Sequence, residues 1–527
     1  MSRQELLKRL AEDTTYDIAV IGGGATGLGV ALDAAARGYS VVLLESHDFA
    51  KGTSSRATKL VHGGVRYLAQ GNIALVKEAL HERANLLTNA SHIAQPLAFV
   101  MPSYKWWETP FYGMGLKLYD ALGGKISNLA GLGDTEFLNA EQTSQLMPNI
   151  KTAGLRGGVK YWDGQFDDAR LALTLAMTAS EKGALLVNYC AVESLVHEDG
   201  KLAGVMARDT ETGQTYRVNA RCTINATGVW VDLLRKQDGH ATGRSVADMV
   251  APSQGVHLVV DRSFWPTDHA LMVPKTEDGR VLFAVPWLGK TILGTTDTPR
   301  HDLAREPTPF ADEVAFILRE AGKYLTKAPQ RSDVKSIWVG LRPLVKPPSD
   351  EGSSTKQLSR EHTVLVSKSG LVTVTGGKWT TYRAMAEDVL TRCMESHLIR
   401  KSDTGITAHM PLSGAQKGGQ SVSQAPGLHL YGSHAAQVQT LPGAGRELGG
   451  AGVTGLTEAM VRYAARFEYA RTVEDVLARR SRLLFLDAKL AGSLADDVSH
   501  ILQEEIGQDG DPQAFKKLAA QYTLLPV

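Results

Sequence analysis

An α/β fold, with a mainly antiparallel second sheet and a helical C-terminal domain, is predicted by three features of this 527-residue chain. Near the start, an apolar strand pattern, a glycine-rich turn and an alanine-rich helix follow one another. In the middle, short strand patterns crowd together. Beyond Thr457, apolar residues recur at helical spacing, as in Val461, Ala464, Ala465, Val473, Val476 and Leu477. A chain of this length exceeds what one core usually serves, so two to four domains are expected.

Residues 16–21 read as a buried strand, 27–37 as a helix and 40–44 as a second strand, which together make a βαβ unit. Later strand patterns fall at 217–225, 256–260, 281–285, 291–294 and 364–375, the last with a break at 367–370. The middle group is spaced closely enough to be antiparallel. From 401 to 455 the text turns to Gly, Ser, Pro and Gln and predicts a loop-rich connection with few core residues.

The run Gly22-Gly23-Gly24-Ala25-Thr26-Gly27 joins the first strand to the first helix, the context in which a Gly-x-Gly-x-x-Gly pattern binds a dinucleotide. Gly22 permits the tight turn, Gly24 lets a diphosphate approach the backbone, and Gly27 lets the helix lie on the sheet. Free N–H groups at the helix start then bind the anion. Glu45 ends the second strand, where its carboxylate accepts ribose hydroxyls and repels a 2′-phosphate, so NADP is disfavoured. The bland alternative is a glycine turn with an incidental acid. A second match, at 450–455, has no strand before it and reads as connection.

The segment after Glu45 separates flavin from nicotinamide. Residues 52–67 form a small, hydroxyl- and glycine-rich run suited to wrapping a buried phosphate and a flat ring; it contains Thr53, Ser54, Ser55, Lys59, His62, Gly63 and Gly64. This run resembles that of the FAD-dependent glycerol-3-phosphate dehydrogenases of the D-amino-acid oxidase structural superfamily. The resemblance continues through Asn225-Ala226-Thr227-Gly228, Gly294-Thr295-Thr296-Asp297, Gly340-Leu341-Arg342-Pro343-Leu344, Ser359-Arg360-Glu361, and Gly376-Gly377-Lys378-Trp379-Thr380-Thr381. It extends into 472–487 and departs only in a longer glycine-rich stretch near 414–455. Gly228 ends a strand where the sheet passes close to the dinucleotide. Gly377, Lys378, Trp379 and Thr380 start a helix whose dipole, with Lys378, stabilises negative charge on a reduced flavin.

The resemblance implies a discontinuous FAD-binding Rossmann-like domain over about 14–95, 155–240 and 335–400. It implies a substrate domain over 96–154 and 241–334, the connection 401–455, and a helical C-terminal domain over 456–527. It also implies FAD as cofactor and oxidation of sn-glycerol 3-phosphate to dihydroxyacetone phosphate, with electrons passed to a membrane quinone. A phosphate dianion calls for always-charged planar donors, and Arg66, Arg342, Arg360 and Lys378 fall on the family's substrate-anion positions beside Tyr67. His257, on an otherwise apolar strand, matches a family substrate-site histidine; it is either the base or a core histidine. His62 is its rival and is expected to pack against the flavin. The catalytic set is therefore His257, Arg342 and Lys378. An oxidase passing electrons to O2 and an amino-acid oxidase stay open as alternatives.

Composition limits the partners. Lys plus Arg is 57 against 56 for Asp plus Glu, so no basic field advertises nucleic acid. Three scattered cysteines exclude a cysteine-ligated cluster, and no metal site is expected. The first 17 residues lack the apolar core of a secretion signal, and no stretch reaches the roughly 18 apolar residues of a spanning helix. The stretch 99–125 gathers Phe99, Tyr104, Trp106, Trp107, Phe111, Tyr112 and Tyr119 with Lys105, Lys117 and Lys125. It suits peripheral contact with the cytoplasmic face of an inner membrane, or else a subunit contact in a homodimer or the domain core.

Overall fold

A computed structural model of the chain describes residues 2–64, 72–346 and 361–527, with the backbone alone for 125–129. The first sheet holds β1 (Thr15–Ile21), β2 (Val41–Leu44), β7 (Leu185–Val187), β8 (Cys190–Glu198), β9 (Lys201–Asp209), β10 (Thr215–Asn225), β17 (Thr363–Val366) and β18 (Leu371–Thr375). Strands β18, β10, β1, β2 and β7 lie parallel in that order, while β17 and the β8–β9 ribbon join antiparallel. All four residues of β2, Val-Val-Leu-Leu, are buried, as a parallel strand covered on both faces requires. The helix Ala25–Ala36 packs between the helices Asp168–Glu181 and Tyr382–Glu395. Gly27 makes its approach possible: a Cβ there would stand 1.9 Å from the carbonyl oxygen of Gly22.

The second sheet is built from β3 (Leu60–Val61), β4 (Ala94–Ser103), β5 (Glu136–Asn139), β6 (Gly157–Phe166), β11 (Val250–Asp261), β12 (Ala270–Val273), β13 (Leu282–Trp287), β14 (Lys290–Gly294), β15 (Thr298–Pro299) and β16 (Ser336–Val345). Its pairings are antiparallel except for β12 with β4, in agreement with the crowding of short strand patterns. β11 is longer than the apolar pattern at 256–260 because buried Ser253 and Gln254 extend it alongside β16. β16 pairs with β11 over its full length, and β6 with β4, so both strands run in this second sheet.

Beyond 457 the chain is helical as expected, with helices Glu458–Phe467, Ala495–Ile506 and Pro512–Thr523 around a π-turn at Asp475–Arg480. The stretch 401–455 departs from expectation. It has little regular structure but buries Leu412, Val422, Leu430, Tyr431, Val438 and Leu448, and the Arg170 guanidinium lies 4.2 Å from the Tyr431 ring centre. Its apolar residues are spaced irregularly between glycines and serines, so no period announces their burial. The glycine pattern at 450–455 is a nest filled by the chain's own carboxylate: Glu447 accepts N–H bonds from Gly452 (2.8 Å), Thr454 (2.7 Å) and Gly455 (2.7 Å).

The aromatic stretch 99–125 is not one surface. Phe99 is buried in β4, and Tyr119 is buried with its hydroxyl donating to Asp163 (2.8 Å) and accepting from the Gly63 N–H (2.7 Å). Trp106, Trp107, Phe111, Met114 and Leu118 face outward from and just before the helix Glu108–Leu129. None of the helices among the described residues is long and apolar enough to cross a membrane.

Candidate cofactor and substrate cavity

A cavity of about 1140 Å³ runs between the two sheets, somewhat larger than the roughly 300–1,000 Å³ usual for ligand sites. Its dinucleotide end is the turn after β1. Gly22 has φ +109°, and a Cβ there would meet the Ala226 carbonyl oxygen at 2.7 Å, so the turn needs glycine. Gly24 precedes the helix Ala25–Ala36 in extended conformation and offers no side-chain cap, which leaves helix-start N–H groups facing the cavity. The Ala25 N–H is bonded to Ser54 Oγ at 2.9 Å. Glu45 is fixed by the N–H groups of Gly23 (2.6 Å) and His47 (2.9 Å).

The middle of the cavity is walled by the chain from Gly52 to Gly64 and by the turn after β18. Thr53 Oγ1 donates to the Leu341 carbonyl at 2.6 Å, and Trp379 Nε1 to that of Ser54 at 2.9 Å. The His62 backbone meets Thr380 Oγ1 through both its N–H and its carbonyl, each at 3.3 Å. Gly228, Gly376 and Gly377 all have positive φ, and a Cβ at Gly377 would strike Met385 Sδ at 2.4 Å. Lys378 follows at the start of the short helix Trp379–Thr381, which leads into Tyr382–Glu395.

At the far end, His257 and Arg342 enter from neighbouring strands of the second sheet. His257 Nε2 is 2.9 Å from Thr58 Oγ1, and its ring stacks on Trp338 with centres 5.1 Å apart and planes at 17°. Burial, then the charges of Arg342 and Lys59, hold its pKa well below the ordinary histidine value, so the ring is neutral at neutral pH. Arg342 reaches Asp297 Oδ1 and Thr295 Oγ1, each at 3.3 Å. Gly255 opposite Gly340 leaves it room: a Cβ at Gly255 would lie 2.3 Å from the guanidinium.

The structure thus brings Gly22, Gly24, Glu45, Thr53, Ser54 and His62 to one cavity, and with them Gly64, Gly228, His257, Arg342, Gly377, Lys378, Trp379 and Thr380. Gly27, Ser55, Lys59 and Gly63 stand behind its wall and do not line it. Lys59 is fully buried, bonded to Asp168 (2.7 Å) and the Ser55 carbonyl (2.8 Å), because its left-handed backbone (φ +65°) turns the side chain inward. Arg66, Tyr67 and Arg360 lie outside the described residues.

Sequence reasoning missed the end next to Glu45, where Ala191 and Val192 of β8 face Leu233 and Leu234 of the helix Val231–Ala241, with Trp230 and Arg305 at the rim. Trp230, two residues after Gly228, was the available signal. It also missed an apolar wing formed by Phe99, Tyr161, Met272, Val281 and Phe283 on the second sheet. Among the described residues no cluster of His, Cys, Asp or Glu could hold a metal ion. The glycine turn, the fixed carboxylate at the strand end and a long cavity fit a flavin adenine dinucleotide. The neutral His257 and the arginine at the other end fit an anionic alcohol beside it.

The family described as FAD dependent oxidoreductase matches residues 17–383, and the C-terminal domain of alpha-glycerophosphate oxidase matches 405–513. The chain is 40% identical to a probable mitochondrial glycerol-3-phosphate dehydrogenase of Caenorhabditis elegans, over 96% of this chain and 73% of that one. It is 37% identical to the mitochondrial glycerol-3-phosphate dehydrogenase of Schizosaccharomyces pombe, over 96% and 87%. Among solved structures, the glycerol-3-phosphate dehydrogenase from Bacillus halodurans complexed with FAD superposes with a TM-score of 0.77 at 30% identity, covering 99% of this chain and 98% of that one.

Proposed function

Because the chain belongs to the FAD-dependent glycerol-3-phosphate dehydrogenase family, we propose that it oxidises sn-glycerol 3-phosphate to dihydroxyacetone phosphate and hands the electrons to a membrane quinone. The observation that carries this reading is the meeting of a neutral, buried histidine with an arginine at the end of the cavity away from the dinucleotide turn. Bound FAD supplies the acceptor for the hydride leaving C2. Arg342 pairs with the phosphate, and its guanidinium suits a bidentate contact. His257 takes the C2 hydroxyl proton at Nε2 once the substrate hydroxyl replaces Thr58 Oγ1 as the partner of that nitrogen, while stacking on Trp338 fixes the ring plane. Lys378 and the helix start behind it favour negative charge on the reduced cofactor. Arg66, Tyr67 and Arg360 complete the substrate set in this proposal.

The division into domains proposed is a cofactor domain over about 14–95, 155–240 and 335–400 and a substrate domain over 96–154 and 241–334; β6 and β16 fall in the cofactor ranges although they pair within the second sheet. The connection 401–455 and the helical domain 456–527 follow. Peripheral contact with the cytoplasmic face of an inner membrane is supported by Trp107, Phe111, Met114 and Leu118, spaced along one helical face, with Trp106 80% exposed beside them. The apolar wing of the cavity suits a quinone ring better than a sugar phosphate.

The test is anaerobic: holoenzyme is mixed with glycerol 3-phosphate, other polyol phosphates or amino acids, and the flavin absorbance is followed. Bleaching by glycerol 3-phosphate is expected; bleaching by amino acids instead overturns the substrate assignment. Stoichiometric peroxide on admitting air would replace the quinone with O2.

A further inference from the structure

We infer that Arg305 is a clamp on the diphosphate of FAD, carried on a strap that closes the dinucleotide end of the cavity. The inference rests on FAD as cofactor and not on the substrate or acceptor proposed above. The strap is the connection between β15 and the helix Ala311–Tyr324. Arg300 ties its base together by donating to the Thr308 carbonyl at 2.7 Å. Its crest crosses from the second sheet to the cofactor loop and is fastened there at several points. Trp230 Nε1 donates to the Leu303 carbonyl (3.2 Å), and Arg56 to the Arg305 carbonyl (2.9 Å). Glu306 accepts from Lys51 (2.8 Å) and Arg56 (2.7 Å), and from the Tyr522 hydroxyl of the last helix (3.2 Å).

Among the described residues, the fasteners leave the Arg305 guanidinium uncommitted. Lys51 is shared between Glu306 and Glu474, and Arg56 is spent on Glu306 and the strap backbone. The Arg305 guanidinium lines the cavity 4.0 Å from the centre of the Trp230 ring, and among the described residues it donates no hydrogen bond to a protein acceptor. Glu45, the acid assigned to the ribose, is the carboxylate whose charge it feels. A guanidinium held over an indole keeps its donors in a fixed fork, and that fork matches phosphate oxygens. The glycine turn offers N–H groups to only one side of a diphosphate, and one of these, from Ala25, is taken by Ser54. In this assignment Arg305 supplies charge from the rim beside Glu45. Release of FAD then requires both loss of this ion pair and lifting of the strap.

The test follows flavin fluorescence as holoenzyme releases FAD after dilution, at low and high salt, for wild type, Arg305→Ala, Arg305→Lys and Arg305→Gln. Loss of a charge-assisted contact is worth about 10-fold to 100-fold, so Arg305→Ala and Arg305→Gln should release FAD faster by about that factor. Arg305→Lys should fall between them and wild type. High salt should accelerate wild type and leave the uncharged variants nearly unchanged, a signature that a purely structural strap would not give. Release from Arg305→Ala at the wild-type rate overturns the inference. Faster release with the wild-type salt dependence does so equally. Should Arg305→Ala fail to fold, the comparison of Lys with Gln decides, and equal release from those two refutes the clamp.

Discussion

Gly255 faces Gly340 across β11 and β16, and Arg342 occupies the space beside Gly255 while Arg56 lies against Gly340. Replacing Arg342 by Ala should lower kcat/KM for glycerol 3-phosphate by about 10-fold to 100-fold and leave the flavin content unchanged, as judged by the ratio of protein to flavin absorbance. Loss of flavin with unaltered turnover per flavin would assign it to the cofactor instead. His92 gives a stability prediction. Burial, then Arg170 and His434, push its pKa down to about 3, so the folded protein keeps it neutral while the unfolded chain protonates near pH 6.5. Its contribution is therefore present above about pH 6.5 and lost as pH falls toward about 3, by at most about 1.4 kcal/mol per pH unit. His92→Asn should flatten urea-unfolding stability between pH 7 and pH 5; an unchanged slope would exclude it as a main acid-sensitive group. The placement of Arg342, His257 and Lys378 at the cavity was legible in sequence, because Arg342 and Lys378 sit in motifs that fix their strand or turn and His257 lies on an apolar strand. The depth of Lys59 was not, because its backbone hand and its partner Asp168, 109 residues away, leave no local pattern.

Among the elements, the helix Glu108–Leu129 has two faces that do different work. Leu116 and Tyr119 point into the core, where Tyr119 holds the Gly63 backbone, while Phe111, Met114 and Leu118 meet solvent. Trp106→Ser with Phe111→Ser should abolish flotation with anionic liposomes and activity with a membrane quinone, while flavin content and activity with a soluble dye persist. Tyr119→Phe should float like wild type; equal flotation of all three proteins would remove the outward face from membrane contact. In sequence the stretch 99–125 reads as one aromatic block, since a strand and a helix with different periods succeed each other there without a composition change. The βαβ unit was readable because a strand, a glycine turn and a helix each carry their own signal. The buried residues of 401–455 were not, since irregular chain packs by shape and has no period to betray it.

At the scale of the whole molecule, the C-terminal helices are bolted to the cavity floor. Arg482, fully buried, donates to the Ser55 carbonyl (2.7 Å) and Asp168 (3.0 Å) beside Lys59, and Lys59 lies about equidistant from the rings of Trp287, Trp338 and Phe485 at 5.2–5.3 Å. Burial, then the charge of Arg482, lower the Lys59 pKa to about 7 against the opposing pull of Asp168. Arg482→Met should cost about 3–5 kcal/mol, because it strips one partner from a buried ion cluster. The exposed pair Arg217–Glu198 is the control, and Arg217→Ala should cost less than about 1 kcal/mol. Similar shifts in thermal midpoint for the two variants would mean that the buried cluster is not a source of stability. The bolt also sets an order in time. Ser55 and Arg482 are 427 residues apart, so at about 5–20 residues per second a ribosome needs roughly 20 to 85 seconds to deliver the second after the first. For most of that interval Lys59 and Asp168 exist without their C-terminal partner. The floor beneath His257 is therefore among the last parts of the nascent enzyme to set, and a chain halted before Arg482 carries a cofactor loop with no foundation.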